Sequence, residues 1–137
     1  MDIFEKLSII ILPILITAFF ASIIPRKLKE RQGFNEASDK FYATFTKQLN
    51  FLEHNVNSDT GDTSNIGEYL RAHYVGTHLN AFSTFRNSLP GRRRKAIDRA
   101  WKEYCDFNQY SDKNNQEAMR ALALKNLENV LKFAKHK

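Results

Sequence analysis

Cysteine is nearly absent from this chain, and Cys105 is the only one among 137 residues. A single cysteine excludes an intramolecular disulfide and a cysteine-based zinc site. The sequence also lacks the glycine-flanked serine of a nucleophile elbow, the glycine-rich P-loop and the paired histidines of a zinc-protease helix. We therefore predict no metal and no cofactor, and these absences favour binding over catalysis as the class of function.

Acidic residues are fewer than basic ones, so the chain carries a formal net charge of +6. The excess lies after the N-terminal segment, because residues 26–137 hold 20 Lys and Arg against 13 Asp and Glu. A basic domain favours anionic partners, which here are an acidic protein, anionic lipid or nucleic acid. Ordinary solubility charge is the alternative, and the sequence indicates no particular oligomeric state.

Patterns typical of β-strands are missing, as are internal repeats and heptad runs long enough for a coiled coil. Apolar residues instead recur at spacings of three, four and seven, which is typical of helices that bury one face. One such stripe contains Phe41, Phe45, Leu49 and Leu52, and Gly33 breaks the pattern before it. We expect an all-α protein with an antiparallel bundle of about four helices. The predicted helices cover residues 35–55, 66–88, 91–106 and 116–134.

The N-terminal region holds one long apolar segment, because residues 7–24 carry no charge. As a helix these residues span about 27 Å, close to the hydrocarbon thickness of about 30 Å. The start MDIFEK is not basic and the end FFASIIPRK offers no small-x-small cleavage site, which disfavours a cleaved signal peptide. We predict a single transmembrane anchor within residues 1–25.

Basic residues flank this anchor asymmetrically. Lys6 alone precedes it, whereas four cations follow it closely: Arg26, Lys27, Lys29 and Arg31. The positive-inside rule therefore predicts a cytoplasmic location for the rest of the chain. At headgroup depth each of the four cations can gain on the order of 1 kcal/mol from anionic lipid, and the alternative is that they serve only as a topology signal. The expected domains are an anchor at 1–25, a basic juxtamembrane linker at 26–34 and a soluble helical domain at 35–137.

The strongest indication of binding is the stretch LPGRRRKAIDRAWKEYC, residues 89–105. Residues 86–102 hold seven cations and one acid, Asp98. On a helix, spacings of three, four and three align four of these cations: Arg92, Lys95, Arg99 and Lys102. The opposite face carries Ile97, Trp101 and Tyr104, which we expect to be buried. If Ser88 is the N-cap, Arg92 lies in the second turn and its conflict with the helix dipole is reduced.

These four residues, together with Arg93 and Arg94, are the predicted contact surface for an anionic partner. The alternative is a solvated face without function. A purely structural partner of a membrane complex, acting through the apolar anchor, is a third class of function.

Arg71 and His78 suggest a different activity. An arginine followed by a histidine after six residues resembles the R-x(4–6)-H motif of HEPN-type ribonucleases, which are helical bundles. The resemblance implies RNA cleavage by this pair at a dimer interface, although Ala72 stands where that family favours a polar residue. A packed histidine hydrogen-bonded to a neighbour is the alternative. His73 and His78, five residues apart, would lie about 140° apart on an α-helix and share no metal-binding face.

The segment HLNAFSTFRNSLPGRRRKAIDRAWKEYC, with the later NLENVLKFAK, resembles a set of small uncharacterised bacterial proteins. These share an F-R-x-x-L…basic…A-W-x-E-Y-C segment, which often follows an N-terminal hydrophobic segment. The resemblance covers roughly residues 78–134 and implies a helical bundle and a bacterial source, so the predicted membrane is the inner membrane. It implies no activity and no site residues.

Overall fold

A computed structural model of the chain describes residues 25–54 and 65–136. Every regular element within these residues is helical, and none is a strand. The predicted all-α class is thereby confirmed for the described residues. The α-helices are α1 (25–44), α2 (Thr46–His54), α3 (Ile66–His73), α4 (Leu79–Asn87), α5 (Gly91–Tyr104) and α6 (Gln116–Leu131).

The chain divides into two compact units, Met1–Phe34 and Asn35–Lys137. The described part of the first unit is helical, and its predicted headgroup cations are exposed: Arg26, Lys27, Lys29 and Arg31. Arg26 also pairs with Glu30, at 3.4 Å between Nε and Oε1. The predicted anchor segment, residues 7–24, lies outside the described residues. Among the residues that are described, no helix is both long enough and apolar enough to cross a membrane.

The core of the second unit is built largely from aromatic rings. Phe41 stacks on Phe85 with 4.5 Å between ring centroids, and Phe82 stacks on Trp101 at 4.3 Å. α6 packs against α5 and α2 and, less extensively, against α3. Its buried face confirms the helical periodicity and contains Ala123, Leu127, Val130 and Leu131.

Near the C-terminus a ring nitrogen of His136 lies 2.5 Å from the Asp39 carboxylate, and this contact is exposed.

The first predicted helix, residues 35–55, differs from the observed structure at its start and near its middle. Gly33 does not break the helix, because α1 runs through it, and the interruption comes instead at the turn residue Phe45. α2 then continues the same apolar stripe, so the predicted inward residues Phe41, Phe45, Leu49 and Leu52 are all buried. Periodicity identified the buried face correctly but not the turn within it.

The predicted helix 66–88 is interrupted by a π-helical turn over Tyr74–His78, which lies between α3 and α4. Here the N–H of Leu79 donates to the carbonyl of Tyr74, five residues earlier. A π turn inserts one extra residue into the helix and rotates the residues that follow. His73 and His78 are therefore not separated by the 140° that a regular α-helix would give, and their ring centroids lie 6.4 Å apart.

The start of α5 also differs from the prediction. Ser88 is the C-cap of α4 and donates its hydroxyl to the Phe85 carbonyl, while Pro90 in extended conformation precedes the first helical residue, Gly91. Ser88 is therefore not the N-cap, and Arg92 lies in the first turn. The conflict between Arg92 and the positive end of the helix dipole, about 0.3–1 kcal/mol per exposed cation, remains in full.

The connection between α5 and α6 is packed rather than freely solvated. It contains two 3₁₀ turns, Phe107–Tyr110 and Lys113–Asn115. The buried Tyr110 hydroxyl donates to the Tyr104 carbonyl at 2.9 Å and accepts from Asn126 Nδ2 at 3.0 Å. The first turn is therefore fixed to both helices that it connects.

Candidate cationic contact surface

α5 has a fixed orientation because one of its faces is buried in the aromatic core. Ile97, Trp101 and Tyr104 are at most 6% exposed, as the sequence predicts. Besides its stack with Phe82, the Trp101 ring lies edge-on to Phe45 at 6.0 Å between centroids. These contacts determine which side of α5 faces outward.

The outward side carries the four aligned cations, which we call the cationic stripe: Arg92, Lys95, Arg99 and Lys102. All four side chains are exposed. No ion pair or hydrogen bond within the described residues engages any of their charged groups. At a rise of about 1.5 Å per residue the stripe extends about 15 Å along the helix.

Asp98, the one acidic residue among these cations in the sequence, does not neutralise the cationic stripe. Its carboxylate accepts two hydrogen bonds from Arg86 of α4, at 2.6 Å from Nε and 2.8 Å from Nη2. These hydrogen bonds lower the pKa of Asp98 and raise that of Arg86. Bidentate pairing of this kind is the strongest form of Arg–carboxylate contact, so the acid is already occupied within the fold.

Arg93 and Arg94, the other two residues of the predicted surface, make contacts within the fold. The Arg93 guanidinium lies over the Phe133 ring, 5.1 Å from its centroid. Arg94 Nη2 donates to the Asn87 carbonyl at 3.1 Å and so satisfies a backbone acceptor at the C-terminal end of α4. The structure thus divides the six predicted cations into four that are free of such contacts and two that also support packing.

Arg71 and His78 occupy different environments. Arg71 is partly exposed and pairs with Glu68, while its Nη2 donates to Asn108 Oδ1 at 2.8 Å. His78 is only 5% exposed, and its ring lies 4.6 Å from the Phe45 ring. Burial, and secondarily the neighbouring His73, lowers the pKa of His78 to about 4. No hydrogen bond or ion pair joins Arg71 to His78 in the described part of the chain.

The described residues hold no group of three or more His, Cys, Asp and Glu side chains placed to bind a metal ion. The predicted packing of His78 is present. Its expected hydrogen bond is not found among the described residues, where the ring contacts are those with Phe45 and His73.

Two contacts of this surface lie beyond sequence reasoning. Arg86 and Asp98 are 12 residues apart in the sequence and lie on different helices. Arg93 and Phe133 are 40 residues apart. No local spacing pairs such residues.

Comparison with protein-family models, curated proteins and solved structures gave no match to this chain.

Proposed function

We propose that this chain is a membrane-anchored binding protein whose helical second unit holds an anionic partner on the cationic stripe. The observation that carries the proposal is the division of charge around α5. Asp98 is occupied by Arg86, whereas the four exposed cations of the stripe have no counterion among the described residues. An external anion is the missing partner of this arrangement.

The energetics of α5 support the same interpretation. Arg92 in the first turn opposes the helix dipole by about 0.3–1 kcal/mol, and like charges three or four residues apart repel by a few tenths of a kcal/mol. Both costs fall on the free protein. A bound anion offsets both, because it is attracted by the cations and by the positive helix end. A solvated face without function would keep these costs uncompensated.

We further propose that residues 7–24 anchor the chain in the bacterial inner membrane with the second unit in the cytoplasm. The support is the uncharged length of the segment and the cations that follow it, Arg26, Lys27, Lys29 and Arg31. In this arrangement the four juxtamembrane cations lie among lipid headgroups. The cationic stripe belongs to the other unit and serves a different contact.

The test is binding of inorganic polyphosphate, a flexible polyanion, to the full-length chain in nonionic detergent. Reversal of the whole stripe (Arg92→Glu, Lys95→Glu, Arg99→Glu and Lys102→Glu) should weaken binding at least about tenfold and reduce its salt dependence. A matched control reverses four exposed lysines elsewhere in the second unit: Lys40, Lys47, Lys113 and Lys125. The control changes net charge equally and should retain most of the affinity. Equal losses in the two variants would contradict a specific stripe.

A further inference from the structure

An open groove of about 780 Å³ lies between the π-helical turn and the C-terminal half of α5. Its lining includes Tyr74, Trp101, Arg99, Lys102, Glu103 and Asp106. Arg99 and Lys102 belong to the cationic stripe, so the stripe leads directly into the groove. The Cys105 thiol also lines it, and burial raises the pKa of this thiol to about 12, so the thiol is neutral near pH 7.

Tyr74 gives the groove an aromatic wall. Its side chain is partly exposed, and its ring lies 6.1 Å from Trp101 and 5.6 Å from Phe107 between centroids. The π-helical turn fixes its backbone position, because the Tyr74 carbonyl accepts the N–H of Leu79. Trp101 is 6% exposed, and its Nε1–H has no acceptor among the described residues. A tyrosine ring therefore stands beside two free cations in one concave surface.

We infer that the anionic partner is a single-stranded nucleic acid whose phosphates follow the cationic stripe and whose base enters the groove against Tyr74. This inference rests on the proposed function. Proteins that bind single strands combine a row of cations along the backbone with aromatic side chains on which bases stack. The stripe of about 15 Å and the adjoining tyrosine supply both parts.

Other anionic surfaces fit this groove less well. A bilayer surface does not place a planar group into a recess, and its anionic headgroups would be repelled by the carboxylates of Glu103 and Asp106. Base amino groups and ribose hydroxyls, in contrast, can donate hydrogen bonds to such carboxylates. A duplex keeps its bases stacked inside, so only an unpaired strand can present a base face to Tyr74.

The chain contains a built-in reporter, because Trp101 is its only tryptophan and lines the groove. The experiment titrates the full-length protein in nonionic detergent with a short oligoadenylate RNA, while tryptophan emission and affinity are measured. Polyphosphate of equal charge serves as the probe without bases, and vesicles containing anionic lipid serve as the membrane probe. We expect the oligoadenylate to quench Trp101 emission and to bind about tenfold or more tightly than polyphosphate, the equivalent of about 1.4 kcal/mol.

Variants of Tyr74 assign that difference to the groove. Tyr74→Ala should remove the tenfold advantage of oligoadenylate and leave polyphosphate affinity unchanged, whereas Tyr74→Phe, which keeps the ring, should retain it. Tyr42→Ala, a substitution of an exposed tyrosine on α1, is the matched control and should bind like wild type. Circular dichroism checks that each variant is folded. If Tyr74→Ala does not fold, the wild-type comparison of the two probes still decides the question.

The outcomes separate this inference from the proposed function. Equal affinity for oligoadenylate and polyphosphate, without quenching, overturns the nucleic-acid inference but leaves the stripe as an anion surface. Binding of anionic vesicles alone, lost on reversal of the stripe, also overturns it and makes the partner a lipid surface. Binding that is unaffected by reversal of the stripe contradicts both.

Discussion

Arg86 on α4 holds Asp98 on α5 through two hydrogen bonds of 2.6 and 2.8 Å. This pair fixes the two helices to each other and also withdraws the only carboxylate between residues 86 and 102 from the cations around it. One contact thus contributes both to the packing of α5 and to the positive charge of its outer face. The pair can therefore be used to change that charge without touching the cationic stripe.

Substitutions of Asp98 and Arg86 should change the affinity for an anion in opposite directions. Asp98→Asn removes the carboxylate and releases the Arg86 guanidinium, so the affinity for polyphosphate should rise. Arg86→Gln releases the Asp98 carboxylate beside the stripe, so the affinity should fall, although Arg86 is not a stripe residue. Both variants should be less stable than wild type in thermal unfolding. The double variant should return close to wild-type affinity, and a change of the same sign in both single variants would contradict this account.

How much the sequence predicts is best seen at the π-helical turn. The predicted helix 66–88 is present on both sides of this turn, and its apolar residues Leu70, Phe82 and Phe85 are buried. The hydrogen-bond pattern of Tyr74–His78 has no comparable signal, because one inserted residue changes the register without changing the composition. Regular α-helical spacing therefore does not anticipate the approach of the His73 and His78 rings, whose centroids lie 6.4 Å apart.

The cationic contact surface likewise has features that the sequence predicts and features that it does not. Helical spacing aligned the four stripe residues, and the opposite face is buried as expected. The contacts of Arg93, Arg94 and Asp98 depend on which helices meet in the folded chain, and that information is not local. The sequence misplaces the N-cap of α5, because Ser88 is a common N-cap residue whereas its hydroxyl here donates to a carbonyl at the C-terminal end of α4.

His78 predicts a pH dependence of stability. Its pKa in the folded protein is about 4, below the ordinary value of 6.5, because burial disfavours the charged ring. The unfolded chain therefore binds a proton at higher pH than the folded chain does, so this group lowers stability as the pH falls from about 6.5 to about 4. At 1.36 kcal/mol per pH unit, the loss amounts to at most about 3 kcal/mol.

The measurement compares urea unfolding of wild type and His78→Leu in nonionic detergent from about pH 7 to about pH 4. Leucine cannot titrate, so the difference in unfolding free energy between the two proteins should change across this range in favour of the variant. A difference that stays constant with pH would show that His78 is not held neutral by burial.

Gly67 and Gly76 should respond differently to alanine. A Cβ at Gly67 would lie far inside van der Waals contact with the Phe107 carbonyl oxygen, whereas at Gly76 nothing lies within 4 Å. Gly67→Ala must displace backbone and should cost about 1–3 kcal/mol. Gly76→Ala should be neutral or stabilise the chain by up to about 1 kcal/mol. Urea unfolding of the two variants checks both, and equal effects would contradict the close approach of α3 to the 3₁₀ turn.

Tyr110→Phe should destabilise the second unit by about 1–3 kcal/mol, because it leaves the buried Asn126 amide and Tyr104 carbonyl without their hydroxyl partner. Tyr110 and Asn126 belong to one hydrogen-bond network. The loss of unfolding free energy in the Tyr110→Phe/Asn126→Leu double variant should therefore be smaller than the sum of the losses in the two single variants. Strictly additive losses in unfolding free energy would show that the two side chains act independently.

The most direct test of the cationic stripe is the salt dependence of polyphosphate binding in two adjacent double variants of equal charge. Arg92→Gln/Lys95→Gln removes two stripe cations, whereas Arg93→Gln/Arg94→Gln removes two cations that contact Phe133 and the Asn87 carbonyl. At a slope of about 0.7 per contact for a flexible polyanion, the first variant should lower the slope of log affinity against log salt by about 1.4. The second should keep a slope near that of wild type and lose thermal stability instead. Equal slopes in the two variants would contradict the account, because the stripe would then contribute no more to binding than its neighbours do.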